Sequence, residues 1–124
     1  MDDLIDVCAG KRFKVKMTPE VAKKFKQADP KQRARCLKWM EFFAEDGQDN
    51  LDKEKLRHEG KFSTGEKSGT KVAILAFKAW QLRVYGGLVN GDTFIATEID
   101  TAKKQDGADQ HLLSLAAKKL AGYL

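Results

Sequence analysis

The side chains of this sequence best suited to chemistry are cations that lie close together in the chain. Residues 53–85 contain eight Lys or Arg and three Glu, and the difference, 8 − 3 = +5, equals the net charge of the whole 124-residue chain. The remaining charges therefore balance. A local excess of this kind is the electrostatic footprint of a protein with an anionic partner. The charge alone does not distinguish a nucleic acid from an acidic protein.

Arginine and lysine suit phosphate in particular, because their charge persists at neutral pH and arginine can donate to two oxygens at once. Arg83 lies between Leu82 and Val84, so it faces away from both in a regular strand. It is either a functional cation or a solvated strand residue. Four more candidates for contacts with phosphate groups, each of which could equally be a solvated loop residue, are Arg57, Lys61, Lys67 and Lys71.

Other side chains could supply proton transfer or stacking. His58 could act as a general base, because an ordinary histidine titrates near neutrality, although a lone loop histidine is usually just exposed. Trp80 lies in a predicted turn and could stack on a base, whereas Trp39 fits a packing role in a helix. The pair Lys103-Lys104 could bind phosphate or could be ordinary surface.

The sequence carries no sign of a metal or organic cofactor. Its two cysteines, Cys8 and Cys36, lack metal-ligand spacing and predict neither a zinc site nor a disulfide scaffold. The acidic start Met1-Asp2-Asp3 is unlike a signal peptide. No run approaches the roughly 18 apolar residues of a membrane span. These features predict a cytoplasmic protein without a membrane partner, and they leave the oligomeric state open.

Hydrophobic periodicity predicts the elements that position these side chains. Residues 12–17 alternate like a strand, and Thr18-Pro19 and Asp29-Pro30 begin two helices, the second with Gln32 placed for a capping box. Three β-branched or aromatic runs follow residues 46–71, a long segment in which a short strand near Lys61-Phe62 is possible. An Asn-Gly pair marks the last hairpin. The predicted ranges are 19–27 and 30–45 for the first helices, 72–77, 81–85 and 93–97 for the strands, and 108–123 for the last helix.

The predicted architecture is therefore an α+β fold of order β-α-α-β-β-β-α. It has a twisted antiparallel sheet, an N-terminal helical hairpin and a C-terminal helix. The short connections of the second half favour antiparallel neighbours. Residues 1–10 show little pattern and are predicted to be a flexible leader, with a single domain over residues 11–124.

This order resembles the RelE/HigB-type toxins of bacterial toxin–antitoxin systems, in the phage-associated HigB-like branch. The local motifs that carry the resemblance are Leu56-Arg57, Leu82-Arg83-Val84-Tyr85, the turn and strand 91–95, Lys103-Lys104, and the alanine-rich closing helix with Ala116-Ala117. The resemblance covers most of the chain in element order and about half of it in motif.

The resemblance implies a toxin that cleaves messenger RNA without a metal, usually on the ribosome, and that a cognate antitoxin restrains. In that chemistry the 2′-hydroxyl attacks the adjacent phosphate, so the site must move two protons and neutralise a phosphorane. It assigns catalysis to Arg83, with His58 and Tyr123 as further candidates. Tyr123 fits the apolar stripe of the last helix equally well.

One departure from the family leaves the activity open. Family members often carry a histidine or tyrosine near the end of the last strand, whereas this chain has Glu98 and Asp100 there. Carboxylates could accept protons, but they also repel RNA. The alternative function is a non-catalytic RelE-like binding module that uses residues 53–85 for RNA or for an acidic protein partner. The sequence does not identify the general base, the codon preference or the antitoxin.

Overall fold

The computed structural model describes residues 3–102 and 109–124. Six strands form one sheet, two helices lie between the second and third strands, and a third helix follows the sheet. The strands are β1 (Ile5–Ala9), β2 (Lys14–Met17), β3 (Leu56–Ser63), β4 (Lys71–Ala79), β5 (Leu82–Val89) and β6 (Thr93–Asp100); the helices are α1 (Pro19–Lys26), α2 (Pro30–Asp46) and α3 (Gln110–Leu120).

The sheet is mixed, which corrects the predicted all-antiparallel arrangement. Its strand order is β1-β2-β6-β5-β4-β3, and every neighbouring pair is antiparallel except β2 and β6. Two helices and three strands separate β2 from β6 in the chain, so no short connection constrains their relative direction. The short connections that predicted antiparallel pairing govern β4, β5 and β6 only.

The helix starts follow from local capping. The hydroxyl of Thr18 accepts a 3.3 Å hydrogen bond from Val21 N, and the Asp29 carboxylate accepts from the backbone N–H groups of Lys31 and Gln32 at 3.0 Å. Each proline occupies the first turn, where its missing N–H costs nothing. The predicted capping box at Gln32 is wrong in its second half, because the buried side-chain oxygen of Gln32 has no hydrogen-bond partner.

The helices cover opposite faces of the sheet. On the face of α1 and α2, Phe43 packs edge-on against Phe77 and Phe94 at ring-centroid separations of 5.5 and 6.2 Å. On the other face α3 buries Leu113 and Leu120 against the sheet. Alternate residues of the central strands serve both cores. The sheet is therefore the middle layer of three.

Two predicted segments differ from the structure. Residues 5–9, predicted to belong to a flexible leader, form the edge strand β1 paired with β2. The predicted irregular segment 46–71 contains the eight-residue strand β3, so the possible short strand near Lys61 is confirmed and longer than expected. Within the described residues no helix is long and apolar enough to cross a membrane.

Candidate nucleic-acid interface

The candidate site is built around the tight turn that joins β4 to β5. Ala79 pairs with Leu82, which leaves Trp80 and Gln81 as the two turn residues. Trp80 has φ +56° and 59% of its surface exposed. A bulky residue in this left-handed region is strained, and an exposed indole contributes little to the core. Backbone strain of this kind clusters at functional sites, so the turn is a candidate ligand-binding site.

A cleft of about 290 Å³ lies beside this turn. Its side chains combine four cations, one carboxylate and both tryptophans of the protein. The lining residues are Arg35, Trp39, Glu54, Lys55, Lys78, Ala79, Trp80 and Arg83. Cations beside exposed aromatic rings are the combination that binds single-stranded nucleic acid, because they match its phosphates and its bases. In the described part of the chain, no cluster of three or more His, Cys, Asp or Glu could hold a metal ion.

Helix α2 and the turn before β3 supply one side of the cleft. The guanidinium carbon of Arg35 lies 5.1 Å from the ring centroid of Trp80 and 5.7 Å from that of Trp39, and Lys55 Nζ lies 5.1 Å from the Trp39 centroid. Arg35 therefore contacts both indoles, and Trp39 attracts two cations. Lys55 also bonds the exposed Asp52 at 3.3 Å, and this hydrogen bond lowers the pKa of Asp52.

Arg83 is half-buried and also lines the cleft. It pairs in register with Lys78 on β4 and Asp100 on β6. Its Nη1 donates to the backbone carbonyls of Trp80 and, at 3.1 Å, of Leu82, so the guanidinium braces the strained turn. Within residues 3–102 and 109–124 its Nε and Nη2 have no hydrogen-bond partner. These N–H groups remain available to phosphate oxygens.

The other two catalytic candidates do not lie with Arg83. His58 pairs with Leu75, whose side chain belongs to the core beneath α1 and α2, so His58 lies on that face of the sheet. Leu82 belongs to the same core, and its neighbour Arg83 therefore leaves the strand on the opposite face, that of α3. Tyr123 follows α3 and lines a separate cavity with residues such as Pro19 and Lys119. Tyr123 also packs against the α3 core, as its position in the apolar stripe of the last helix predicts.

The predicted phosphate contacts spread along the β3–β4 hairpin. Arg57, next to the cleft, is bonded at 3.4 Å to Glu59, whose side chain is buried. Lys61 and Lys71 are exposed further along the hairpin, and Lys67 lies in its loop. Lys103 and Lys104 lie outside the described residues. Of the predicted residues that the structure describes, the cleft contains two, Arg83 and Trp80.

The two carboxylates that distinguish this chain from the family do not line the cleft. Glu98 is 6% exposed and accepts a 2.8 Å hydrogen bond from Lys119 Nζ, so its charge is neutralised on the α3 side. Asp100 accepts from the backbone N–H of Ala102 at 3.1 Å. The predicted repulsion of RNA by these acids is therefore weakened in the case of Glu98.

The sequence places Tyr85 in the same motif as Arg83 but did not predict that its hydroxyl is buried. The hydroxyl of Tyr85 is buried without a hydrogen-bond partner. Burial, and then the negative charges of Asp100 and Glu59, raise the pKa of Tyr85 to about 12. The hydroxyl is therefore neutral and closed to solvent, which makes it a structural feature rather than a proton carrier for a ligand in the cleft.

Sequence reasoning also missed the part of the cleft contributed by Arg35, Lys55 and Lys78. Arg35 lies in a helix some 20 residues before Lys55, and no local pattern indicates that they meet at one indole. In comparisons with known proteins, no family model, no curated protein and no solved structure matches this chain.

Proposed function

We propose that this protein is an endoribonuclease toxin of the RelE/HigB type. It cleaves messenger RNA on the ribosome and is held inactive by a protein antitoxin. The observation that carries the proposal is the position of Arg83, whose unused N–H groups border a cleft with three further cations and two indoles. That arrangement can bind a phosphodiester and its bases without a metal.

The main role of Arg83 in this reaction is to neutralise the charge that develops on the phosphate. When the 2′-oxygen of RNA attacks the neighbouring phosphate, loses its proton and displaces the 5′-oxygen, which is protonated as it leaves, negative charge grows on the non-bridging oxygens. A guanidinium that is already held by the turn carbonyls neutralises this charge without reorganising, which is how fixed charges lower a barrier. Lys78, opposite Arg83 in the register, adds a second positive charge.

The decisive experiment combines growth with cleavage. Induced wild-type protein is expected to arrest bacterial growth and to cut ribosome-bound message in the presence of a metal chelator, while Arg83→Ala does neither. Arg33→Ala is the matched control, because Arg33 is also half-buried and donates to a backbone carbonyl, that of Lys26, outside the cleft. Well-expressed, folded wild type that neither arrests growth nor cuts message would refute the proposal.

A second candidate function is a non-catalytic module that binds RNA through the same cleft. The observation that favours it is the separation of the catalytic candidates, since His58 and Arg83 begin on opposite faces of the sheet and Tyr123 lines another cavity. Tight binding of RNA by wild type without cleavage, with and without ribosomes, would select this function.

A further inference from the structure

Two exposed lysines and one exposed histidine of the β3–β4 hairpin form a row on one face. Cross-strand partners share a face of a sheet. His58 pairs with Leu75, Lys61 with Ala73 and Ser63 with Lys71. Leu75 belongs to the core beneath α1 and α2, and these three pairs are two β4 residues apart, so His58, Lys61 and Lys71 lie on that same face. Glu59 is the extra residue of a bulge and is buried towards Tyr85 instead.

The row begins at the cleft. The carbonyl of Lys55 accepts a 2.8 Å hydrogen bond from Lys78 N, which places Lys55 at the cleft end of the hairpin with its ammonium group over Trp39. His58, Lys61 and Lys71 follow towards the far end and are all exposed. In the described part of the chain none of these three residues forms an ion pair. The ammonium groups of Lys61 and Lys71 and the imidazole ring of His58 are therefore available to a ligand.

The spacing of the row suits an extended polynucleotide. Residues two apart in a strand are separated by roughly 6.7 Å, close to the distance between consecutive phosphates of an extended single strand. A duplex would offer no free base to the exposed Trp80, because its bases are stacked and paired inside. The row and the indole are thus complementary to the same ligand only when that ligand is single-stranded.

We infer that single-stranded RNA binds with an unpaired base on Trp80 and its following phosphates along His58, Lys61 and Lys71. The path from the turn to Lys71 follows the nine residues of β4, a length of roughly 30 Å or about five extended nucleotides. This inference rests on the proposed function for its choice of RNA, and it adds the path and the length of the bound segment.

The test uses 2′-O-methyl oligouridylates of two to twelve nucleotides, which the proposed reaction does not cleave because the nucleophile is blocked. Both tryptophans line the cleft, so binding should quench their emission directly. Affinity should rise with length to about five nucleotides and then level off. A duplex of the same length should bind at least several-fold more weakly and leave the emission unchanged.

Charge variants locate the path. Lys61→Ala with Lys71→Ala should weaken binding of the octamer by about tenfold at moderate salt and leave the dinucleotide unaffected. Lys23→Ala with Lys24→Ala removes the same charge from exposed residues of α1 and should change neither. An octamer that binds the Lys61/Lys71 variant as tightly as wild type, or a duplex that quenches equally, would overturn the inference.

These outcomes separate the inference from the function on which it rests. Cleavage of ribosome-bound message together with octamer binding that ignores Lys61 and Lys71 would retain the toxin and refute the path. Absence of both RNA binding and cleavage in folded protein would refute both. Length-dependent, Lys61-dependent binding without cleavage would support the path and favour the non-catalytic module.

Discussion

Lys119 Nζ donates a 2.8 Å hydrogen bond to Glu98 Oε2 and so joins α3 to β6. The carboxylate is 6% exposed and the lysine side chain 42% exposed. One turn earlier in α3, the Ala116 carbonyl accepts a 2.8 Å hydrogen bond from the hydroxyl of Thr97. Thr97 and Glu98 are consecutive, and both reach α3 because a bulge between β5 and β6 interrupts the alternation of faces.

Lys119→Met should therefore destabilise the fold. It leaves the buried Glu98 carboxylate without its cation, which costs about 1–2 kcal/mol once the exposure of the lysine is taken into account. The free energy of unfolding in urea measures the loss. Lys118→Met is the control, because Lys118 is exposed and makes no ion pair within the described residues. Equal stability of the two variants would show that the ion pair between Lys119 and Glu98 does not stabilise the fold.

The same pair predicts a pH dependence. The hydrogen bond to Glu98 raises the pKa of Lys119 above its ordinary value of 10.5. A group with a raised folded pKa contributes stability that is complete below the unfolded pKa and is lost as pH rises through the folded pKa. The difference in unfolding free energy between wild type and Lys119→Met should stay constant up to about pH 10 and shrink above it. A difference that grows there would contradict the pairing.

Gly86→Ala should be among the most damaging single substitutions. A Cβ atom at Gly86 would collide with the carbonyl oxygen of Ile95 and lie 2.8 Å from its carbonyl carbon and 2.9 Å from Ala96 Cα. These are backbone atoms of β6, so relief requires the strands to separate. We expect a loss of about 3 kcal/mol or more. Gly122→Ala, with nothing within 4 Å, should change stability little, and both are measured by urea unfolding.

Tyr85→Phe should stabilise the protein. The substitution removes a buried hydroxyl that has no hydrogen-bond partner, whose desolvation costs about 1 kcal/mol or more. Because burial raises the pKa of Tyr85 from 10.0 to about 12, the unfolded wild type ionises first, and the advantage of phenylalanine should grow between these pH values. Tyr123→Phe is the partly exposed control. A destabilised Tyr85→Phe variant would show that the hydroxyl has a partner.

Trp80→Gly should separate stability from binding. Glycine accepts the positive φ at no steric cost, so relief of the strain should raise the free energy of unfolding by about 1 kcal/mol. The same change removes the indole beside Arg35 and should weaken binding of single-stranded RNA. Asn90→Gly, at φ +58° in the other turn, should give a smaller gain and unchanged binding. Unchanged RNA affinity in Trp80→Gly would exclude the indole from the interface.

Local signals in the sequence were sufficient for several elements. Thr18 and Asp29 start their helices because the groups they cap lie two or three residues away. Asn90 and Gly91 both have positive φ in the turn before β6, as the Asn-Gly pair predicts. The alternation of side chains along a strand predicted that Arg83 faces away from Leu82 and Val84. Such features depend on hydrogen bonds and sterics between neighbours in the chain, which a sequence displays directly.

The tertiary structure decided the rest, because it depends on which distant segments meet. The parallel pairing of β2 with β6 and the strand at residues 5–9 arise from partners far apart in sequence. The cleft forms only where α2 and the turn before β3 reach the turn at Trp80, so Arg35 and Lys55 join Arg83 there, while His58 and Tyr123 do not. The sequence by itself determined the elements and the local excess of charge. Sheet order and the choice of face determined which of those charges share a site.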